Sequence, residues 1–496
     1  MAEKLTDPSK PAHEIIEVCE DGDAIRNDGV RLTAANKNPW YVLATIYGEG
    51  GGYEEPKGHV KDDTLLKYGA ELRAKFRRAW NLWVCLELTD EERADRALTT
   101  GLNVAELAPQ KDAQKAAAEL AEITKLFQAR MGKGAKLPSR DETIDFSSTI
   151  FSKQLNFGGM VFEKNVSFRL ATFLDSVNFS STAFMGSANF SIATFMNTAH
   201  FPSATFSGSA DFHSAVFSGY ADFSFARFMG GNCFIPTNFR SVKFIEPAYY
   251  ISATFSDSVN FSSAIFKSTI WFSNVRFLTA VPEFDAAQLF DDMIFSASDN
   301  EQNNWPPLWG SVKVEGKRVD VMPASQQKLA YNRLRLLMNK SSQIDGEQFF
   351  QRQEMRCKTR LARWYHKPFY WLYALLSDYG NSVWRPLFWM GFVMLSGALF
   401  MLWWQEAFTF LPKESSGFDW TLGLLGEDDP WAKPRQAAGW SISNTLPFLG
   451  FGKLYYGELA KELAWPLKVA GGVQTLLGYV LLFFFGLGLR NRFRLR

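Results

Sequence analysis

Cysteine and histidine are scarce in this chain of 496 residues. The four cysteines lie far apart and form no Cys-x-x-Cys pair, so neither a zinc site nor a disulfide framework is expected. They are Cys19, Cys85, Cys233 and Cys357. None of the five histidines has a partner at a zinc-ligand spacing. We interpret the four cysteines as buried or unreactive thiols in a reducing compartment.

The motifs of common enzyme classes are also missing. There is no Gly-x-Ser-x-Gly, no Walker loop and no dinucleotide fingerprint. The glycine-rich "GEGGGY" at 48–53 lacks the Lys-Ser/Thr pair of a phosphate loop, and Asp291 and Asp292 form an isolated acidic pair. We therefore predict a protein that is not an enzyme, with no catalytic residue, no metal and no cofactor.

The chain has no surplus of charge of either sign. Lys and Arg total 53 against 52 Asp and Glu, so no electrostatic footprint for nucleic acid is present. The start, "MAEKLTDPSKPAHE", has no apolar core, so no cleaved secretory signal is expected. The N-terminal part is predicted to stay in the cytosol.

What the chain does have is a long series of phenylalanines at alternating steps of five and six residues. A helix stripe returns every three or four residues and a strand every two, so this period indicates an internal repeat of eleven. The series runs through Phe 146, 151, 157, 162, 168, 173, 179, 184, 190, 195, 201, 206, 212, 217, 223, 228 and 234.

A small residue stands two positions before most of these phenylalanines, as Ala188 stands before Phe190. Side chains two apart on an extended backbone share a face, so both are predicted to point inward. Ser, Thr, Asn, Asp and Gly lie between them and suit corners and solvent. Each five or six residues therefore predict one short strand and one turn.

Three segments carry a family resemblance: "SANFS", "SADFH" and "YADFS" resemble pentapeptide-repeat proteins of the type with a central Phe. The resemblance implies a right-handed, four-sided β-helix with one pentapeptide per side. This chain departs from that rule by one extra residue in alternate units. We infer a coil of about 22 residues, with the extra residues at opposite corners. About seven coils at roughly 4.8 Å each predict a rod about 30 Å long.

The coil length makes a geometric prediction. Phe168, Phe190 and Phe212 should stack about 4.8 Å apart, whereas a flattened coil of eleven residues would place Phe168 over Phe179. After Phe234 the series slips at 239 and 244, uses Tyr250, resumes at 255, 261, 266, 272 and 277, and decays through 284, 290 and 295.

The repeat is predicted to be the stable centre of the molecule. Of the 45 phenylalanines, 28 fall between 146 and 295, and each buried ring contributes very roughly 1.5–3 kcal/mol. The open ends of such a rod expose strand edges and need caps. The flanking segments are the candidates for these caps.

The segment before the repeat, 1–140, is predicted to be a helical N-terminal domain. Its clearest element is an amphipathic helix over 112–131, with Leu120, Ile123, Phe127 and Met131 close to one face.

After the β-helix of 141–298, residues 299–362 predict a linker and a helical hairpin that turns at Ile344–Gly346. The residues expected to serve its two helices are Leu329, Leu336 and Met338, and Phe349, Phe350 and Met355. The hairpin is interpreted as a cap for the rod, with a charged platform for a partner as the alternative.

The end of the chain, 363–496, predicts a membrane domain. Two uncharged stretches, 386–404 and 469–489, hold 19 and 21 residues, enough to cross about 30 Å of hydrocarbon. Residues 363–380 suit an interfacial helix. Gln474, Thr475, Gly471 and Gly478 are expected to face the first span, because polar and small residues are kept from lipid.

Basic residues flank both spans on the side away from the loop 405–468. They are Arg352, Arg356, Lys358, Arg360, Arg363, Lys367 and Arg385 before the first span, and Arg490, Arg492, Arg494 and Arg496 after the second. The positive-inside rule places both flanks in the cytosol and the loop outside. We expect a bacterial inner-membrane protein whose N-terminal domain, repeats and C-terminus are cytosolic.

The fold class predicted is thus mixed: a right-handed four-sided β-helix flanked by helical segments, plus two C-terminal transmembrane helices. The function predicted is a membrane-anchored, non-enzymatic scaffold that presents the rod to a protein. The partners expected are the lipid bilayer and an unidentified protein, with a homo-oligomer left open and no nucleic acid. Mimicry of DNA is disfavoured because 146–295 holds 10 acidic and 8 basic residues.

The alternative is a two-span, pore-loop ion channel with the β-helix as its regulatory domain. The loop "NTLPFLGFGK" lies between the spans, and its GFG resembles a potassium-channel filter, so the candidate pore-loop residues are Thr445, Gly450, Phe451 and Gly452.

The surroundings of this GFG depart from the channel pattern. Phe448 and Leu449 stand where Thr and Val usually precede the glycine, and Lys453 stands where an acid usually follows. Pro447 would interrupt a pore helix. A re-entrant or interfacial loop is therefore the form we expect for this segment.

Overall fold

The structure is a computed structural model that describes residues 10–48, 63–230, 236–290, 293–295, 304–314, 316–341, 343–407, 432–449 and 465–493. The chain divides into two compact units, one ending at Glu354 and the other beginning at Met355.

The first unit begins with three strands and four helices. The strands are β1 (Ile15–Val18), β2 (Ala24–Arg26) and β3 (Arg31–Ala34), and the helices are α1 (Pro39–Ala44), α2 (Asp63–Val84), α3 (Asp90–Thr100) and α4 (Ala113–Met131). Two short 3-10 turns, Ala35–Lys37 and Val104–Glu106, lie between them. The three strands were not predicted from the sequence. Helix α4 was predicted correctly, and Ile123 and Phe127 are its buried residues.

The repeat forms a four-sided β-solenoid of very short parallel strands. Face A holds Ile144–Asp145, Val166–Ser167, Ala188–Asn189, Ala210–Asp211, Thr237–Asn238 and Val259–Asn260. Face B holds Thr149–Phe151, Thr172–Phe173, Thr194–Phe195, Val216–Phe217, Lys243–Phe244, Ile265–Phe266 and Gln288–Leu289. Face C holds Leu155–Asn156, Val177–Asn178, Ala199–His200, Ala221–Asp222, Ala248–Tyr249, Ile270–Phe272 and Met293–Phe295. Face D holds Val161–Phe162, Ala183–Phe184, Thr205–Phe206, Arg227–Phe228, Thr254–Phe255 and Arg276–Phe277.

The predicted coil of 22 residues is confirmed. Phe168, Phe190 and Phe212 stack in one column with ring centroids 4.8 Å apart at each step. Phe179 lies beside Phe168, edge to face at 5.6 Å, so the flattened coil of eleven residues is wrong. Stacked, fully buried rings fill the interior on every face, which is why the phenylalanine period specifies the fold.

The five-residue units turn tight corners, and two lie in each coil. Phe190 accepts a hydrogen bond from Ala193 N at 3.1 Å, and the third residue of this turn, Ile192, has φ of +60°. A β-turn with positive φ at its third residue is of type II. The side chain of Asn189, just before Phe190, accepts from Ser191 N at 2.9 Å and supports the turn.

This turn explains which residues precede phenylalanine in the five-residue units. Asn178, Asp211, Asp222, Asn238 and Asn260 all accept from the backbone two residues on. The extra residue of the six-residue units falls at the other two corners, which lie opposite one another as predicted.

The coil length changes at two places. Phe239, rather than the predicted Phe234, stacks on Phe212 at 4.8 Å, so that coil is 27 residues long. Phe234 itself lies outside the described residues. In the last coil Leu289 pairs with Phe266 at an offset of 23, and Phe290 is exposed, so Phe290 does not belong to the core series.

The N-terminal segment caps the first coil. Strand β3 pairs in parallel with the first strand of face B, through Thr33 with Thr149 and Ala34 with Ile150. On face D, Asn81 of α2 replaces a neighbouring strand: its Nδ2 donates to Gly159 O at 3.0 Å and its Oδ1 accepts from Val161 N at 2.8 Å. On these two faces the strand edges expected of an open rod are thereby satisfied.

The helical hairpin caps the last coil, as the sequence suggested. It follows a two-stranded hairpin, Ser311–Val314 with Lys317–Asp320, and consists of α5 (Ala324–Lys340) and α6 (Ile344–Leu361). Trp305 packs on Phe277, with centroids 5.0 Å apart, and on Phe350 of α6 at 5.2 Å.

Two details of the predicted hairpin are wrong. Leu329 and Leu336 are exposed, whereas Met338 is buried as expected, because the packed stripe of α5 is Gln327, Ala330, Tyr331, Leu334, Leu337 and Met338. The turn precedes Ile344, so Ile344–Gly346 form the first turn of α6. Phe349 and Phe350 are buried as predicted.

The described part of the second unit holds four further helices. They are α7 (Lys367–Ser377), α8 (Trp384–Ala407), α9 (Ala432–Thr445) and α10 (Trp465–Phe493), with a 3-10 turn at Pro447–Leu449.

Candidate functional site

The candidate site lies in the second unit, where two helices are long and apolar enough to span a membrane. They cover Trp384–Trp404 of α8 and Trp465–Arg492 of α10 and contain both predicted spans. Large apolar side chains on both helices are exposed, including Phe388, Leu395, Leu399, Leu476 and Phe483. A buried helix of a soluble protein would hide such residues, so these surfaces suit a lipid environment.

Helix α7 is the predicted interfacial helix. Its Tyr373 packs inward on Phe484 of α10, with ring centroids 5.5 Å apart. Its last carbonyls are bound by α8, since Arg385 donates to Ala374 O at 2.9 Å and Trp389 donates to Leu375 O at 3.1 Å. Four large apolar side chains of α7 are exposed: Phe369, Trp371, Leu372 and Leu375. Large aromatics beside basic residues at the end of a span are typical of the lipid headgroup region.

Helix α9 packs between the two long helices. Its middle, at Ala437 and Trp440, forms a buried cluster with Met401 near the end of α8 and Leu467 near the start of α10. Its last turn lies against the middle of both, where Ser441 Oγ donates to Met394 O. Helix α9 therefore enters from the end where α8 finishes and stops half-way along.

Gln474 of α10 joins the three helices. Its Nε2 lies 3.2 Å from Val393 O of α8, and 3.1 Å from Ser441 O and 2.9 Å from Thr445 Oγ1 of α9. It also donates to Ser441 Oγ. The side chain is buried, and its Oε1 has no hydrogen-bond partner among the described residues.

Glycines make these close approaches geometrically feasible. A Cβ on Gly478 of α10 would lie 2.1 Å from Thr445 O, and one on Gly397 of α8 would lie 2.4 Å from Gln474 Nε2. The expectation that Gly471 and Gly478 face the first span is wrong, since their nearest neighbours are Asn444 and Thr445 of α9.

Gln474 does contact the first span, but Thr475 bonds within its own helix, to Gly471 O. The contributions of Ser441 and Gly397 were missed by sequence reasoning. The only sequence signal for them is that they are small residues in apolar surroundings.

Of the candidate pore-loop residues, the structure describes only Thr445. Thr445 is fully buried as the last residue of α9, and its Oγ1 donates to Ser441 O at 2.8 Å. Its hydroxyl is thus committed to protein partners. Pro447, which has no N–H to continue a helix, follows the end of α9 by two residues. Gly450, Phe451 and Gly452 lie outside the described residues.

The first unit offers little reactive chemistry in the part that the structure describes. No group of three or more His, Cys, Asp or Glu is placed there to hold a metal. Burial raises the pKa of the Cys85 thiol to about 12, so this thiol is expected to be unreactive. Cys357, at the start of the second unit, is also buried. Cys233 and the pair Asp291 and Asp292 lie outside the described residues.

The outer surface of the rod is uneven. On face D, Cys85, Ala97 and Leu107 cover Val161 and Ala183. Face C and its flanking turns instead carry large aromatics, which we call the aromatic patch. Tyr249 and Trp271 are half-buried on the strands, and Tyr220 and Phe225 lie in the turns on either side of Ala221–Asp222.

Within the aromatic patch, Tyr249 and Trp271 stack with centroids 6.4 Å apart on neighbouring strands. Tyr220 and Phe225 are 50% and 59% exposed. The corresponding outward positions of face A are Asn and Asp, as at Asn238 and Asn260.

The chain matches no protein-family model, no curated protein and no solved structure among those compared with it. The architecture described above is therefore the basis for any statement about function.

Proposed function

We propose that this protein is a membrane-anchored, non-enzymatic scaffold whose rod is a pentapeptide-repeat solenoid. The observation that carries the proposal is the combination of a solenoid with a ring-filled interior and two long apolar helices on one chain. A filled core leaves no internal site for a substrate, so recognition falls to the outer faces. The two long helices supply the anchor in a bacterial inner membrane.

The aromatic patch is the face on which we place the protein partner. Exposed Tyr, Phe and Trp are enriched in the centres of protein interfaces because they bury large areas at low entropic cost. Face A, by contrast, presents Asp, Ser and Asn at its outward strand positions, which solvent satisfies. The partner is a cytosolic or membrane protein, since the rod faces the cytosol in this arrangement.

Site-specific photocrosslinking tests this proposal. A benzophenone amino acid is placed at Tyr249 on face C or at Asn260 on face A, as the matched control, in the full chain in native membranes. We expect one discrete protein adduct from position 249 and none from position 260. The adduct should also disappear with Trp271→Ser. Equal adducts from both faces, or none from position 249, would contradict the scaffold.

A second candidate is favoured by one observation: α9 stops half-way along both spans, and its last residue, Thr445, precedes Gly450 by five residues. An anchor needs no such third helix, whereas a pore loop requires one. In this alternative several chains surround one axis and a backbone-lined segment conducts ions. The departures at Phe448, Leu449 and Lys453 argue against potassium selectivity.

Planar bilayers separate the two candidates. Under a potassium gradient the scaffold is expected to pass no selective current, and the purified protein need not form a ring of four. A tetramer with potassium-selective current that Gly450→Ala abolishes would replace the scaffold with the channel.

A further inference from the structure

We propose that the side-chain amide of Gln474 holds helix α9 between the two spans through its hydrogen bonds, and we call this arrangement the polar lock. The inference uses the membrane-anchored state of the proposed function but is independent of any protein partner. Gln474 is a positioning residue here, because it acts through α9.

The hydrogen bonds of Gln474 are concentrated on one atom. Four oxygens surround its Nε2: the carbonyls of Val393 and Ser441, and the hydroxyls of Ser441 and Thr445. A carboxamide nitrogen has two hydrogens, so it satisfies two of these acceptors at a time. One oxygen belongs to α8 and three belong to α9. The amide therefore ties α10 to both other helices at once.

The lock acts on the end of α9 that lies deepest between the two spans. Helix α9 has 14 residues, about 21 Å at 1.5 Å per residue, too short to cross about 30 Å of hydrocarbon. It carries Ser441, Ser443, Asn444 and Thr445 in its last turns. Without fixed partners, these polar groups would favour the water phase over the bundle interior. The Gln474 amide supplies partners at the deepest point of the helix.

Two glycines, Gly397 and Gly478, leave the space that these contacts need. Gly397 lies beneath the amide, and a methyl group there would meet Nε2 at 2.4 Å and Oε1 at 2.6 Å. Gly478 lies one turn from Gln474 and lets the backbone of Thr445 approach. By contrast, a Cβ on Gly391 of α8 or on Gly472 of α10 would have no neighbour within 4 Å. These two glycines provide matched controls.

Cysteine accessibility measures whether α9 stays in place. Ser443 is buried, and among the described residues its hydroxyl bonds within α9, to Gly439 O, so Ser443→Cys is a conservative reporter. The full chain in proteoliposomes is treated with a membrane-impermeant maleimide, and the chain without Ser443→Cys gives the background of the native thiols. We expect slow labelling with Gln474 present. Gln474→Met, similar in size but without hydrogen bonds, should raise the labelling rate at least tenfold.

Two pairs of glycine substitutions repeat the test in chains that keep Gln474. Gly478→Ala and Gly397→Ala should both raise labelling of the Ser443→Cys reporter, whereas Gly472→Ala and Gly391→Ala should leave it within twofold. These variants keep the test valid if Gln474→Met fails to fold, which faster labelling of the buried native thiols would reveal.

Gln474→Glu distinguishes hydrogen bonding from packing, because only hydrogen bonding makes the labelling rate of this variant depend on pH. A protonated carboxyl can still donate one hydrogen bond to α9, but an ionised one cannot. Labelling normalised to the denatured chain should therefore increase as the pH rises, whereas with Gln474→Met it should stay high throughout. Protection of Ser443→Cys that is unchanged by Gln474→Met and by both glycine substitutions would overturn the lock.

Discussion

Tyr250 places a hydroxyl group inside the phenylalanine core. Its ring stacks between Phe223 and Phe272 at 4.9 and 5.1 Å, as a phenylalanine would. The hydroxyl is fully buried and has no hydrogen-bond partner among the described residues, and burial raises its pKa well above the usual range. Tyr250 thus stacks as a phenylalanine would, but the burial of its unpaired hydroxyl costs desolvation free energy.

We expect Tyr250→Phe to stabilise the rod. Removing a buried, unpaired hydroxyl while keeping the ring should increase the free energy of unfolding by about 1–3 kcal/mol. Thermal denaturation of the full chain in detergent checks this. Phe201→Tyr, in the same column of rings, is the reverse control and should lower the midpoint. A lower midpoint for Tyr250→Phe would mean that the hydroxyl has a partner.

His13 makes the N-terminal segment sensitive to pH. Burial lowers its pKa below the ordinary 6.5, and the nearby charges of Arg26 and Lys243 add to this, while Glu14 and Asp28 oppose it. Because the folded pKa lies below the unfolded one, protonation favours the unfolded state. The contribution of His13 to the stability of the folded state is therefore fully present above pH 6.5 and is lost as the pH falls below it.

The measurement is the thermal midpoint between pH 7.5 and 5.5. The native chain should lose stability over this range, and His13→Gln should lose less. His200→Gln, which removes an exposed histidine of face C, should behave like the native chain. A native pH profile with His13→Gln would rule out His13 as the cause.

At the scale of elements, the first coil depends on a side chain that imitates a strand. The Asn81 carboxamide donates to and accepts from the backbone of Gly159 and Val161, about 80 residues away. Trp80, its neighbour, donates to Val161 O at 2.8 Å. Helix α2 thus closes the edge of face D without adding a strand to it.

Asn81→Ala should open this edge. Two buried backbone groups lose their partner, at about 1–3 kcal/mol each, and the amide of Val161 should exchange with deuterium much faster. Hydrogen exchange of the full chain, with the thermal midpoint, tests this. Asn103→Ala removes an exposed cap of a 3-10 turn and is the control, with a small effect expected. Unchanged exchange at Val161 would contradict the role of Asn81 as the acceptor that protects this amide.

At the scale of the whole molecule, the flanking arginines predict topology. We expect both termini in the cytosol and the loop 405–468 outside. A reporter enzyme fused after Arg496 should be active only in its cytosolic form. A second fusion before Trp384, within the basic flank, should give the same result. Periplasmic activity at the C-terminal fusion would reverse the orientation.

The β-solenoid, its coil length and the two long apolar helices could be predicted from the sequence because their contacts repeat at a constant offset or lie within one element. Phe168 meets Phe190 because both sit 22 residues apart in a regular series. A period of this kind is visible in the chain itself, and so is an uncharged run of 19 residues.

The tertiary structure alone decided the caps, the register changes and the position of α9. Asn81 lies 78 residues from Gly159, and Gln474 lies 81 residues from Val393, and neither residue belongs to any repeat. Such contacts form when separate elements bring single side chains together. A polar residue within a span, such as Gln474, can be singled out from the sequence, but nothing local in the chain identifies its partners. The same holds for Gly478, whose missing Cβ matters only because Thr445 O approaches it.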